Sequence, residues 1–335
     1  MNRWTLADLD EQSSRTVIVT GASSGLGLIV ARELDAAGAR VVLAVRNVAK
    51  GREAAAGMSG RTEVRELDVS DLGSVRRFAA AWDEPVYVLV NNAGIMEVPL
   101  RRTADGFESQ LATNYLGPFV LTGLLLGHIT GRVVTVASQL HRMGTVHLDD
   151  LNYTDRPYKA STAYEDSKLA GVLFSLELQR RLDAAGSPVR AVVAHPGIAS
   201  TNLARHATSG RVTHALRFLF NDPATGALSI LYAATRTCPA APTSGPRGPA
   251  GLKGHSAPAG PPPPAATPTS PGDSGRRPKP SWPRPTIQRR HEPGTAAQIR
   301  GLGCRAAARA HERRAGLPAR EIAVALVDAR VAVVI

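Results

Sequence analysis

Across the first 235 residues, short apolar runs alternate with amphipathic stretches. Thr16–Thr20 (TVIVT) is apolar, β-branched and of strand length, so it predicts a buried strand. Glycines follow, and 26–37 repeats apolar residues at helical spacing, with Gly38 as a helix stop. Further strands are predicted at Arg40–Val45 and at 63–67, 86–90, 132–136 and 189–193. Helices are predicted at 47–59, 72–82, 107–126, 164–182 and 222–235, the last opened by Asp222-Pro223 as N-cap and first turn. The strands are continuously apolar, which calls for a sheet covered on both faces. The expectation is an α/β fold: a doubly wound parallel sheet in a single domain over 16–235, behind an N-terminal arm at 1–15.

At about residue 236 the rhythm stops. Residues 236–335 hold 17 of the 24 prolines, with 16 Lys+Arg against 5 Asp+Glu, whereas 1–235 holds 24 against 23. Nearly all of the net charge of +12 therefore sits in the last hundred residues. Such a composition buries too little apolar surface to offset chain entropy, so 236–335 is expected to be a mostly disordered tail. Its arginines are scattered among Pro and Ala with one aromatic, Trp282. That implies general attraction to polyanions and no specific nucleic-acid partner.

The body before residue 236 has no cysteine; Cys238 and Cys304 both lie in the tail. A disulfide framework is excluded there, and a cytoplasmic location is expected. The N-terminus (MNRWTLADLDEQSSR) is polar and acidic, unlike a signal peptide, and no apolar run reaches 18 residues, so no membrane span is expected. No metal-ligand spacing is present.

Thr20–Gly27 reads TGASSGLG, between a strand and a helix. Glycines there let a backbone approach a pyrophosphate, and a helix N-terminus offers free N–H groups and a positive dipole end. Alone, the spacing also fits an ordinary strand-to-helix turn. The tip of the second strand adds a second clue. Dinucleotide folds that take NAD place an acid there for the ribose 2′-OH. Here Arg46 follows Val45, with Lys50 nearby. A guanidinium suits a 2′-phosphate, which points to NADP(H), although a solvated surface arginine would look the same.

With these residues in hand, the sequence resembles the Rossmann-like short-chain dehydrogenase/reductase family. Asp68 and Val69 end strand three, Asn91-Asn92-Ala93-Gly94 follows strand four, and Ser138 follows strand five. Tyr164 and Lys168 form a YxxxK pair, and His195-Pro196-Gly197 follows strand six. The match runs in order over 16–235. It implies that Gly21, Ser23, Ser24, Gly25, Leu26, Gly27, Arg46, Asn47, Asp68, Val69, Asn92, Ala93, Gly94, Tyr164, Lys168, Pro196, Gly197 and Thr201 line the cofactor. It implies a catalytic group of Asn114, Ser138, Tyr164 and Lys168, with Asn114 steadying a proton-relay water.

The chemistry is consistent with those roles. Reducing a carbonyl needs a hydride donor and a proton donor. A tyrosine titrates near 10 and is expected to be brought down by an ammonium one helical turn away and by the charge on oxidised nicotinamide. Ser138 would orient the substrate oxygen. The substrate is expected to be a small carbonyl or alcohol; a homodimer is left open. The alternatives are a cofactor-binding pseudoenzyme impaired by the altered C-terminus, or nucleic-acid binding by the basic tail.

Ser138 and Tyr164 are 26 residues apart, about twice the spacing of many family members. The long insert, with LAVRNVAKG at strand two, resembles the retinol-dehydrogenase-like and protochlorophyllide-reductase-like branch. That branch implies NADP(H) and lipophilic substrates. Residues 198–221 are expected to form a substrate lid. The end departs from the family. Its members continue with a short strand of the type GGxYxGP, where this chain has Thr237–Pro246. Reading one nucleotide earlier permits Asp-Leu-Pro-Gly-Gly-Ala-Tyr-Val-Gly-Pro there, so a frameshift near Arg236 is inferred. Loss of that strand is expected to leave an open sheet edge and an unsupported helix at 222–235.

Overall fold

The computed structural model describes residues 4–58, 61–197, 223–236, 243–246 and 256–258. Six parallel strands form the sheet: β1 (Thr16–Thr20), β2 (Arg40–Val45), β3 (Thr62–Glu66), β4 (Val86–Asn91), β5 (Ile129–Val136) and β6 (Arg190–Ala194). Their order is 3-2-1-4-5-6, the expected doubly wound arrangement. The order reverses between β1 and β4, which opens a crevice at their C-terminal ends.

Helices α1 (Gly25–Ala36) and α2 (Val48–Ala55) follow β1 and β2, and α3 (Leu72–Ala80) follows β3. Helix α4 runs from Ser109–Leu111 through a π-helical turn, Ala112–Leu116, to Gly117–Leu125. Helix α5 is Ala160–Ala184 and α6 is Pro223–Thr235. Successive strand residues point to opposite faces. Val17 and Val19 pack with Leu34 of α1 and Ile230 of α6, while Ile18 packs with Val75 of α3, Leu121 of α4 and Phe174 of α5. Each such fully buried side chain contributes roughly 1.5–3 kcal/mol, which is why the strands are apolar throughout.

The π-helical turn is the main local departure from the periodicity, which predicts one unbroken helix over 107–126. Gly117 marks the cause. A Cβ there would stand 1.9 Å from the Val69 carbonyl oxygen, so α4 meets the loop after β3 backbone against backbone. The wider turn just before it carries Asn114 against Ile95 and Ser167.

The expected open edge at β6 is not what the fold contains. A short strand β7 (Thr243–Pro246) pairs parallel to β6, with Val193 opposite Thr243, and β8 (Ser256–Pro258) pairs antiparallel to β7. Strand pairing uses backbone groups that every residue but proline supplies in full, so an altered sequence can still cover an edge. Helix α6 is not left unsupported either. The buried Arg132 of β5 donates to the carbonyls of Ala233 and Arg236, which satisfies its last turn. Arg236 in turn pairs with Asp10 and donates to the Asp8 carbonyl, and Trp4 stacks edge-on against Tyr232. Residues 4–15 of the arm are thereby docked on α6. Apart from Arg236, β7 and β8, the expected tail lies outside the described residues, as does the expected lid.

Candidate active site

Thr20, the last residue of β1, joins the first two pieces of the crevice. Its hydroxyl accepts the backbone N–H groups of Asn92 and Ala93, both at 3.0 Å, and donates to the Val90 carbonyl. The Asn92 amide returns a bond to the Thr20 carbonyl at 2.8 Å. The loop after β4 is thus bolted to the glycine turn after β1. Contact is close enough to demand glycine at two places. A Cβ at Gly21, where φ is +67°, would lie 3.0 Å from Ala93 Cα, and one at Gly27 would lie 2.4 Å from the Asn92 amide nitrogen. Asn92 therefore acts through its side chain as a brace behind the turn.

Ser24 is the N-cap of α1, yet its side chain makes no capping bond. The first-turn N–H groups of a twelve-residue helix are left facing the crevice, a cradle that suits a phosphate. Ser23 and Leu26 flank it, half-buried. At the tip of β2, Arg46 is exposed and makes no ion pair among the described residues. Asn47 caps α2 by accepting from Lys50 N–H at 3.0 Å. The Asp68 carboxylate accepts from the backbone N–H and hydroxyl of Ser70, and Val69 is buried beside it.

The loop after β4 continues to the second half of the site. Gly94 faces the Lys168 ammonium: a Cβ there would lie 3.4 Å from Nζ and 3.1 Å from Asn114 Oδ1. Lys168 and Tyr164 both project from α5 and are buried. The Tyr164 hydroxyl is hydrogen-bonded to Ser138, and Lys168 Nζ lies 5.8 Å from the centre of the Tyr164 ring. Lys168 donates to the Val136 carbonyl at 2.9 Å, and burial brings its pKa down to about 8.

The expected lowering of the tyrosine is not found in the chain alone. Burial raises Tyr164 to about 12; the bond to Ser138 opposes that rise, and the Glu97 carboxylate adds to it. Desolvation of the hydroxyl is the largest cause, and the Lys168 ammonium, 5.8 Å from the ring centre, is not among the groups that offset it. A buried lysine with one protein acceptor for three protons, facing a glycine, fits the hydroxyls of a nucleotide ribose.

Asn114 is committed to protein partners. Its amide donates to the Ile95 carbonyl and to Ser167 Oγ, and accepts from Ile95 N–H, all at 2.9 Å. Ser167 passes the connection on to the Tyr164 carbonyl at 2.7 Å. Asn114 thus braces the loop after β4 against the catalytic helix. Pro196 is buried, Gly197 has φ +71°, and Thr201 lies outside the described residues.

His195 has a buried Nδ1 without a hydrogen-bond partner, and its Nε2 stands 3.5 Å from the Gln139 amide nitrogen. Burial first, then the nearby His141 and Arg142, push it down to about 4 from its ordinary 6.5. The native state thus refuses a proton that the unfolded chain accepts. Its contribution is present in full above about pH 6.5 and is lost as pH falls toward about 4. His195→Gln is expected to flatten the fall in melting temperature between pH 7 and 4.5 relative to the unaltered protein; parallel curves would contradict this.

The insert between Ser138 and Tyr164 is a docked strut. Asp166, buried on α5, accepts from Tyr153 Oη at 2.7 Å, Thr145 N–H at 2.7 Å and Arg156 at 3.1 Å. The Arg156 guanidinium lies 3.5 Å over the Tyr153 ring. Tyr158 donates to the Val98 carbonyl and so reaches the loop after β4. Thr20, Glu97 and Asp166 stand among the motifs but not in the set expected from sequence. Only contact assigns them, since Thr20 works through backbone groups 72 and 73 residues away.

A crevice that runs from an open helix N-terminus to a buried tyrosine and lysine is built for a dinucleotide and a redox step. The chain belongs to the short chain dehydrogenase family, whose model matches residues 15–211. It is thus an oxidoreductase of a family that uses a nicotinamide cofactor. It is 42% identical over 251 residues to human retinol dehydrogenase 14, covering 66% of this chain and 74% of that protein. It is 42% identical over 247 residues to mouse polyprenol dehydrogenase, covering 68% and 73%. A crystal structure of an uncharacterized protein from Mycobacterium paratuberculosis is 50% identical, with a TM-score of 0.68 over 77% of this chain and 90% of that one. Among the described residues, no helix is long and apolar enough to cross a membrane, and no group of three side chains could hold a metal ion.

Proposed function

We propose that the protein is an NADP(H)-dependent reductase or dehydrogenase that interconverts a carbonyl and an alcohol on a lipophilic small molecule in the cytoplasm. The observation that carries this reading is the loop after β4. Ala93 touches the glycine turn, and Gly94 touches Lys168, so nucleotide cradle and proton donor share one rigid connector. Bound nicotinamide would supply or accept the hydride. Ser138 would hold the substrate oxygen, and Tyr164 would donate its proton to that oxygen during reduction. Lys168, already pointed at the Tyr164 ring face and Gly94, would bind the ribose and favour the phenolate left behind.

Arg46 supports NADP(H) over NAD(H), since no carboxylate stands at the tip of β2 and the guanidinium is free for a phosphate. Arg46→Ala is expected to weaken NADPH binding roughly 10- to 100-fold, the worth of a charge-assisted hydrogen-bond pair, with NADH little changed. Fluorescence titration of the full chain with each nucleotide reads this directly. Equal affinity of the unaltered chain for both would contradict it. The similar proteins named for retinol and polyprenol are named for lipophilic alcohols, which supports the substrate class. The reading-frame change near Arg236 is proposed as well. An uninterrupted frame in the source DNA of independent isolates would sink it.

A further inference from the structure

The loop after β4 carries a carboxylate that the proposed chemistry leaves unused. The loop is pinned at three successive points. Asn114 holds both backbone groups of Ile95, Gln110 accepts the Glu97 N–H at 2.9 Å, and Tyr158 donates to the Val98 carbonyl at 2.8 Å. Gln110 is itself fixed: it donates to Tyr158 Oη and the Ala160 carbonyl, and its N–H bonds the fully buried Glu108. Between these pins Glu97 adopts φ +51°, a left-handed conformation uncommon for a residue with a side chain. Such a conformation persists where its surroundings enforce it, and here it fixes the direction in which the side chain leaves the loop.

The Glu97 carboxylate is half-buried and makes no ion pair among the described residues. It acts electrostatically on two α5 groups, the Tyr164 hydroxyl and the Glu165 carboxylate. Near it, Lys168 is bonded to Val136, and Glu108 to Gln110, Leu111 and Tyr158. Among the described residues no cation pairs with the Glu97 charge, and the loop that carries it runs from Lys168, at Gly94, to Tyr158, at Val98, held through Asn114 against the helix that bears Tyr164. We propose that Glu97 sets the charge selectivity of this site, rejecting carbonyl substrates that carry a carboxylate near the reacting group and favouring neutral or cationic ones. The inference rests on the reading of Tyr164 as the proton donor, and it narrows the substrate class to lipophilic carbonyls without an acid group.

The test compares kcat/KM with NADPH for methyl 4-formylbenzoate and 4-carboxybenzaldehyde, which differ by one charge. The unaltered chain is expected to prefer the ester. Glu97→Gln should reduce the ester-to-acid ratio roughly tenfold, as expected for two charges several ångströms apart near a surface. Glu97→Lys should reduce it further and reverse the preference. A ratio that stays the same in all three proteins would overturn the inference, since a merely structural role would not grade with charge. Absence of turnover of both aldehydes by the unaltered chain with NADPH would instead overturn the proposed carbonyl reduction at Tyr164, and this inference with it. Retained NADPH binding by both variants separates either result from loss of fold.

Discussion

Tyr164→Phe is expected to lower turnover roughly 10²- to 10⁴-fold while nucleotide affinity changes little. The hydroxyl is the only difference between the two side chains, and its partner is Ser138. The ring sits buried on α5, and phenylalanine keeps that packing. The loss should therefore appear in kcat for carbonyl reduction and not in the titration with NADPH. At about 12, the tyrosine of the free chain is a neutral acid across the working range, which suits proton donation to a developing alkoxide. The reverse reaction needs the phenolate, so alcohol oxidation should rise with pH where reduction does not. Turnover unchanged in the phenylalanine variant, measured by NADPH absorbance, would remove Tyr164 from the mechanism and favour a protein that binds cofactor without catalysis.

Asp166→Ala is the second large effect, this one on stability. The carboxylate receives three donors from the insert, and one of them is the Arg156 guanidinium. Removing it leaves the Tyr153 hydroxyl without its acceptor and the mostly buried Arg156 guanidinium with Asp150 alone. Leaving a buried donor without its acceptor costs about 1–3 kcal/mol, and more for a charged group. Tyr153 adds to the cost. Its backbone is left-handed, at φ +54°, and is held there by the Asp166 bond and the guanidinium over its ring. For a domain of this size the melting temperature is expected to fall on the order of 10 °C. Asp166→Asn should fall less, because an amide oxygen still accepts from two of the donors. Turnover should drop with the insert loosened, since it connects Ser138 to Tyr164 and, through Tyr158, steadies the loop after β4. A variant that melts like the unaltered protein would show that the insert is held by other contacts.

The parts of the site legible in the sequence are those whose chemistry is local. TGASSGLG states a turn and an open helix end by itself, because φ-permissive residues and a helix start are properties of neighbours in the chain. Tyr164 and Lys168 state a pair because four residues make one helical turn. Glu97 was not legible, since its significance depends on a left-handed backbone imposed by Asn114, Gln110 and Tyr158. The same holds for the pKa of Tyr164. The spacing to Lys168 predicts a lowered value, but burial of the hydroxyl, with the Glu97 carboxylate adding to it, reverses the sign in the chain alone.

The doubly wound sheet is readable along the chain, because continuous apolar strands alternating with helices have few other ways to bury both faces. So is the end of that sheet that would hold the site. How the edge at β6 is covered emerges in the packed fold, because backbone pairing does not depend on which side chains follow Arg236. Only that packing decided that Arg132, 104 residues earlier, closes the last turn of α6. Periodicity reports which side of an element is apolar. It does not report which distant backbone carbonyl a buried guanidinium or threonine will meet, and that is what joins the two halves of this crevice.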